Sequence, residues 1–366
     1  GIGWGDQGQV QNIVNARRGL ILSLSSSDGI LVGLGEVSPL SGVHPETLDD
    51  AKGQMNEIRN AISNPDFKAE LMDCERILSF DGSLNIYIDG LVSIMIKTKL
   101  VSFTTLLASV RSGLEMALLS LASHATQNPL PQSLQKYRHL EESSNPTMLP
   151  MNGLLTRKTT NPINSVTEVS SNTISYSSMK VKVGHQSVED DALAVINARK
   201  NGSKYVRADA NRGWTELDAK QFVLMLRKHD VNIDTYIEFI EEPLQKSNNA
   251  DVPWSLKGHV EALEKWYDVT GIKYALDESL AEAVLSDENN FPEAMSTISD
   301  LLKNTRGCAA FILKPSLLGL EKAMHLAIVA RVELGIGAVF TSTFDSGVGL
   351  AFTAFLASLS DTIGGQ

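Results

Sequence analysis

Residues 179–183 read Met-Lys-Val-Lys-Val, and residues 205–209 read Tyr-Val-Arg-Ala-Asp. In an extended strand, side chains two apart share a face. Lys180 and Lys182 therefore point one way while Met179, Val181 and Val183 point the other, and Tyr205, Arg207 and Asp209 share a face. Ile237, Phe239 and Glu241 repeat the pattern. Tyr274–Asp277 and Ala310–Leu313 follow as short apolar runs, the first closed by Asp277 and the second followed by Lys314. Helical stretches separate these runs, at Val188–Lys200, Glu216–His229, His259–Val269, near Phe291–Lys303 and at Leu320–Leu334. A last pair is Ala338–Thr341 and Gly349–Ser360. Such βα alternation specifies a parallel sheet or a (β/α) barrel.

Taken singly, each strand ending has an ordinary explanation. Met179–Val183 is then an amphipathic strand with solvated lysines. Glu241-Glu242-Pro243 opens a polar loop, and Asp277 is a helix N-cap with Glu278 in the first turn. Five in succession have a common explanation, because a barrel gathers the C-terminal ends of its strands around one mouth. Asp209, Glu241 and Asp277 would offer three hard oxygen donors without His or Cys, a set suited to Mg²⁺. Lysines on either side offer an acid or base to each face of a bound molecule. A lysine base near neutral pH needs a lowered pKa, which a like charge two residues away, Lys180 beside Lys182, and a bound cation both favour.

The 366 residues suggest two domains, and 43% hydrophobic content supports a large core. A net charge of −11 argues against a nucleic-acid or anionic-membrane partner. Cys74 and Cys308 stand far apart, outside any CxxC, so neither a disulfide framework nor a zinc ribbon is expected. Lys97 and Lys99 interrupt the apolar run Leu91–Leu107, which rules it out as a membrane span. The chain starts at Gly1 without a basic, apolar leader, as if a targeting segment had been removed or the chain were a piece of something longer.

The N-terminal part reads as mixed α and β. Leu20–Leu24 and Gly29–Gly35 look like paired strands, and Pro45 sits where a first helical turn would begin, with Glu46, Asp49 and Asp50 near the positive end of its dipole. Helices are expected through Ala51–Ile62 and Ser109–Ser123, and the proline-rich Gln127–Met151 marks a boundary.

The motifs Lys180-Val181-Lys182-Val183-Gly184, Arg207-Ala208-Asp209-Ala210-Asn211-Arg212-Gly213-Trp214, Ile240-Glu241-Glu242-Pro243, Leu276-Asp277-Glu278-Ser279 and Ile312-Leu313-Lys314-Pro315 together resemble the enolase superfamily. The resemblance is to its muconate-lactonizing branch, and within that to the o-succinylbenzoate synthases. Gly35-Glu36-Val37-Ser38-Pro39-Leu40, followed by Pro45-Glu46-Thr47, is similar to the family's capping-domain loop. The resemblance implies an α/β fold, a modified TIM barrel of (β/α)7β type over residues 150–366, with an N-terminal α+β capping domain over 1–149. It implies a Mg²⁺-dependent dehydration of 2-succinyl-6-hydroxy-2,4-cyclohexadiene-1-carboxylate to 2-succinylbenzoate. In it Lys182 takes the α-proton, Lys180 and Lys314 are the other catalytic lysines, and Asp209, Glu241 and Asp277 hold the metal. Arg207, Thr341, Ser342 and Thr343 would contact substrate. The implied setting is quinone biosynthesis in a plastid, as part of a larger multifunctional chain.

The stretch Leu84–Leu107 departs from the family pattern, which puts cap packing in doubt. With 24 residues after Ser342, the expectation is a truncated barrel of seven strands with an open seam beside Ala338–Thr341. Two other functions remain open: an N-succinylamino acid racemase or dipeptide epimerase using the same lysines, and a non-catalytic barrel domain of a fused enzyme.

Overall fold

The computed structural model describes residues 17–26, 29–72, 84–126, 149–155, 176–246, 254–286 and 291–362. Two compact units emerge. One comprises Gly1–Asn145, Leu313–Ile328 and Phe340–Gln366, the other Pro146–Ile312 and Val329–Val339.

In the first unit, β1 (Leu20–Ser25) pairs antiparallel with β2 (Val32–Val37), Leu20 opposite Val37. Helix α1 (Leu48–Ser63) contains the expected Ala51–Ile62 and starts three residues before it, downstream of Pro45. Thr47 is its N-cap, accepting from Asp50 N, while the Asp50 carboxylate accepts from Thr47 N at 2.9 Å. This capping box satisfies orphan donors that Pro45, further upstream, cannot reach. Glu46 instead accepts from Ser109 N at 2.7 Å, the start of another helix. Helix α2 (Pro65–Met72) follows, then α3 (Leu84–Lys97) and α4 (Ala108–Thr126). A Cβ on Gly33 or Gly35 would fall 2.0 Å from Ala117 O or 1.9 Å from Gly113 O, so these glycines let α4 lie directly on the ribbon.

Of the stretch read as atypical, Leu84–Leu107, the first fourteen residues are helix α3, which packs on the core. Ile88, Val92, Ile94 and Met95 are buried with Ala51, Ile58, Val110 and Leu114. Asp89, Ser93 and Lys97, four residues apart, lie on the exposed face of α3, so the helix is amphipathic with a narrow polar stripe.

In the second unit the strands form one sheet in chain order: β3 (Asn152–Leu155), β4 (Ser178–Lys182), β5 (Tyr205–Asp209), β6 (Ile237–Glu241), β7 (Tyr274–Leu276), β8 (Cys308–Leu313) and β9 (Gly337–Phe340). The pairings from β3 through β8 are parallel, so all these strands end at one edge. The described residues thus hold seven strands in this sheet; β3, a four-residue strand with a glycine, completes the number. The crossovers are α5 (Val188–Lys200), α6 (Glu216–His229), α7 (Leu256–Thr270), and α8 (Glu278–Ser286) with α9 (Phe291–Leu302). Ser187, Thr215 and Ser255 cap α5, α6 and α7 through their hydroxyls.

After β8 come α10 (Pro315–Leu318) and α11 (Leu320–Ile328). The expected helix to Leu334 gives way to a π turn at Val329–Glu333. Helix α12 (Gly347–Thr362) closes the described chain. Of the expected boundary Gln127–Met151, all but the last three residues lie outside the described residues. Among the described residues, no helix is long and apolar enough to cross a membrane.

Candidate active site

The parallel register sets the site. Lys180 lies opposite Arg207, Lys182 opposite Asp209, and Asp209 opposite Glu241. Asp277 directly follows β7 at the same edge of the sheet. The three carboxylates are 1–2% exposed. Burial of three anions is costly unless cations compensate, and β4 supplies two. Lys180 Nζ is 2.8 Å from Asp209 Oδ2 and donates to Glu241 Oε1 and Oε2 at 2.8 Å each. Lys182 Nζ donates to Asp209 Oδ2 and, at 2.7 Å, to Asn211 Oδ1. Burial alone would lower the Lys180 pKa, but Glu241, then Asp209 and Asp277, hold it well above the usual lysine value. Burial likewise opposes ionisation of Asp209, and the charges of Lys180 and Lys182 more than offset it, leaving this carboxyl far below its ordinary range.

The loops after the strands are pinned by Glu242, read in the sequence only as a loop residue. Its carboxylate is fully buried and accepts from Asp277 N at 2.9 Å, Ser279 N at 2.8 Å, Ser279 Oγ, and Arg212 Nε at 3.3 Å; His259 Nε2 lies 3.1 Å away. Burial pushes its pKa up, yet the His259 bond and the Arg212 charge bring it below the usual carboxylate range. Glu242, Asn211 and Arg212 have φ of +43°, +45° and +60°. Such left-handed non-glycine residues cost energy and gather at functional sites. The acidic doublet before Pro243 was the available signal for Glu242, and the Asn-Arg-Gly run for the strained turn.

Gly184 and Gly213 make this crowding feasible. A Cβ on Gly184 (φ +84°) would sit 2.6 Å from Ala210 O, and one on Gly213 would sit 2.5 Å from Gly184 O.

Arg207 is expected at the mouth, and the structure engages it below. Its Nε donates to Glu238 Oε2 at 2.7 Å, and its guanidinium lies 5.1 Å from the Phe239 ring centroid. A register shift at Val206/Arg207 accompanies this pairing, in which Glu238 also accepts from Ser178 Oγ at 2.8 Å. Arg207 thus makes an ion pair with Glu238.

Lys314 directly follows β8 and belongs with the first unit, as do Thr341, Ser342 and Thr343. There Thr341 N donates to Leu313 O at 2.9 Å, and the Ser316 and Thr343 hydroxyls are 2.8 Å apart. Thr343 is buried, with Oγ1 also 2.8 Å from Asp345 Oδ1, so its hydroxyl serves the protein. Thr341 and Ser342 are half-buried. His44, from the cap-like loop, accepts from Leu40 N at 3.1 Å through Nδ1 and meets Ser316 O at 3.0 Å through Nε2. These bonds fix the neutral tautomer with the proton on Nε2. Burial, first among the causes, lowers its pKa accordingly.

Asp209, Glu241 and Asp277 are hard oxygen donors, and Asp209 with Glu241 already takes the Lys180 ammonium between them, so this set fits a divalent cation chemically. Among the described residues, no three His, Cys, Asp or Glu side chains close around a single point.

Residues 165–333 match the family model described as enolase C-terminal domain-like. The chain is 29% identical over 350 residues to Protein PHYLLO, chloroplastic, of Arabidopsis thaliana, covering 93% of this chain and 18% of that protein. It is 30% identical over 179 residues to an o-succinylbenzoate synthase of Vibrio cholerae, covering 49% of this chain and 46% of the relative. The chain therefore spans less than half the length of either. An o-succinylbenzoate synthase structure from Thermosynechococcus elongatus, complexed with Mg in the active site, superposes with a TM-score of 0.55 at 20% identity, covering 96% of this chain and 83% of that one. Muconate lactonizing enzymes and dipeptide epimerases share the fold.

Proposed function

We propose that the chain belongs to the enolase superfamily, whose C-terminal-domain-like model its residues 165–333 match, and that it is an o-succinylbenzoate synthase, dehydrating 2-succinyl-6-hydroxy-2,4-cyclohexadiene-1-carboxylate to 2-succinylbenzoate. The observation that carries this reading is the pair of lysines on one strand, Lys180 and Lys182, set against the strand-end carboxylates Asp209 and Glu241. The o-succinylbenzoate synthase relative supports the choice of substrate.

Asp209, Glu241 and Asp277 would hold Mg²⁺, which would supply positive charge where the substrate carboxylate becomes electron-rich. Lys182, as the neutral amine, takes the proton from the carbon α to the ring carboxylate. The C–H electron pair moves into the carboxylate to give an enediolate. That pair returns to form the new ring double bond as the neighbouring C–O bond breaks. The proton and the hydroxide lost make one water, and the ring becomes aromatic. Lys180 keeps a cation next to Lys182. By resemblance, Lys314 is a further catalytic lysine, and Thr341 and Ser342 are substrate-contacting residues. By resemblance to the Arabidopsis protein, the chain works in a plastid as one part of a longer polypeptide.

The test is purified protein, Mg²⁺ and the cyclohexadiene acid, with loss of diene absorbance as the readout and chelator as control. Metal-dependent product formation is expected. A protein that leaves this acid unchanged but exchanges the α-proton of an N-succinylamino acid or a dipeptide is an epimerase. One that does neither is a non-catalytic domain.

A further inference from the structure

We propose that Asn211 is a positioning residue that aims the Lys182 amine, an inference that rests on the reading of Lys182 as the base. Its side chain joins three elements. Oδ1 accepts from Lys182 Nζ at 2.7 Å on β4, and Nδ2 donates to Glu278 Oε1 at 2.8 Å at the start of α8. Its backbone N donates to Asp209 Oδ1 at 3.1 Å. The chemistry leaves one orientation of the amide, because the Glu278 carboxylate only accepts and so takes the Nδ2 hydrogens. Glu278 thereby turns the Asn211 oxygen, and not its nitrogen, toward Lys182.

The backbone adds to the argument. Asn211 has φ +45°, a conformation that asparagine tolerates better than most residues. The strain is retained where it points the amide across the strand ends, two residues beyond Asp209. Asp209 also accepts from Lys182, and the proposed reaction commits that carboxylate to the metal. Asn211 is a neutral acceptor for the same amine, so it restrains Lys182 without adding an anion. An asparagine here is therefore expected to matter for where the amine sits and not for whether the metal binds.

The test is Asn211→Gly, since glycine accepts the backbone conformation while the amide is lost. In the full chain, kcat is expected to fall about 100-fold, with KM and the calorimetric Mg²⁺ dissociation constant within about threefold of wild type. Glu278→Ala, which frees the amide without altering the turn, is expected to lower kcat about tenfold with KM unchanged. A kcat within about threefold of wild type in both variants overturns the proposal, as does a kcat restored by saturating Mg²⁺, which makes the role one of metal retention. Should the wild-type protein not turn over the diene acid, the reading of function fails and the crystal structure of Asn211→Gly decides the positioning claim. A Lys182 amine displaced by about 1 Å or more supports it, and an unmoved one overturns it.

Discussion

Glu242 shows how much of a site rests on one residue that touches no substrate. Its carboxylate collects two backbone amides, a serine hydroxyl, an arginine and a histidine. Glu242→Ala leaves Arg212 Nε and the amides of Asp277 and Ser279 without this acceptor, while Arg212 Nη1 keeps Glu282 at 2.9 Å. We expect a loss of about 3–5 kcal/mol, the usual cost of breaking a buried ion pair from one side, measured by urea unfolding. Little loss would mean that water replaces the carboxylate. The lysines and the three acids were legible in the sequence because each ends a strand whose alternation is visible. Glu242 and Asn211 were present in the quoted motifs without a role. Their contacts depend on left-handed backbone and on neighbours 17 to 67 positions away. The partner of Arg207 was hidden because it follows from an irregular register, which alternation counting does not foresee.

At the scale of elements, β4 through β8 and their helices follow from hydrophobic period and caps, whereas β3 and α3 do not. Asn152–Leu155 is too short to show alternation, and the polar stripe of α3, at Asp89, Ser93 and Lys97, is narrow among long apolar runs. The joints between elements carry their own tests. Gly184→Ala sets a Cβ against Ala210 O in a left-handed turn, and we expect a loss of about 2–4 kcal/mol in urea unfolding. A second test concerns Glu115 on α4, whose carboxylate accepts from Leu320 N at the start of α11. Burial, partly offset by Arg111 and reinforced by Glu321, raises its pKa from 4.5 to about 7. As pH rises through that window the unfolded chain gives up its proton first, so folding loses stability, on the order of 3 kcal/mol by pH 7. Glu115→Gln should remove that loss, matching wild type near pH 4 and exceeding it at pH 8 in urea midpoint. Parallel profiles at all pH values would contradict this.

For the whole molecule, the proposed metal site couples to folding, because a ligand bound by the native state alone stabilises it. At Mg²⁺ 100-fold above its dissociation constant the gain is about 2.7 kcal/mol, visible as a raised melting midpoint. Asp209→Asn should abolish the rise, and a rise that persists would place the metal elsewhere. The run of strands from β4 to β9, with acids and lysines along one edge, was legible because barrel units repeat one simple pattern. Arrangements such as His44 against Ser316, 272 positions apart, were not, because no local period encodes them.

The central claim is that Lys182 removes the α-proton, and the most direct measurement is turnover of the cyclohexadiene acid by Lys182→Ala beside wild type, with Mg²⁺ binding measured calorimetrically in both. The account predicts a folded variant that still binds Mg²⁺ and loses turnover by about 10²-fold or more, the scale of a missing general base. Near wild-type turnover by that variant would contradict it.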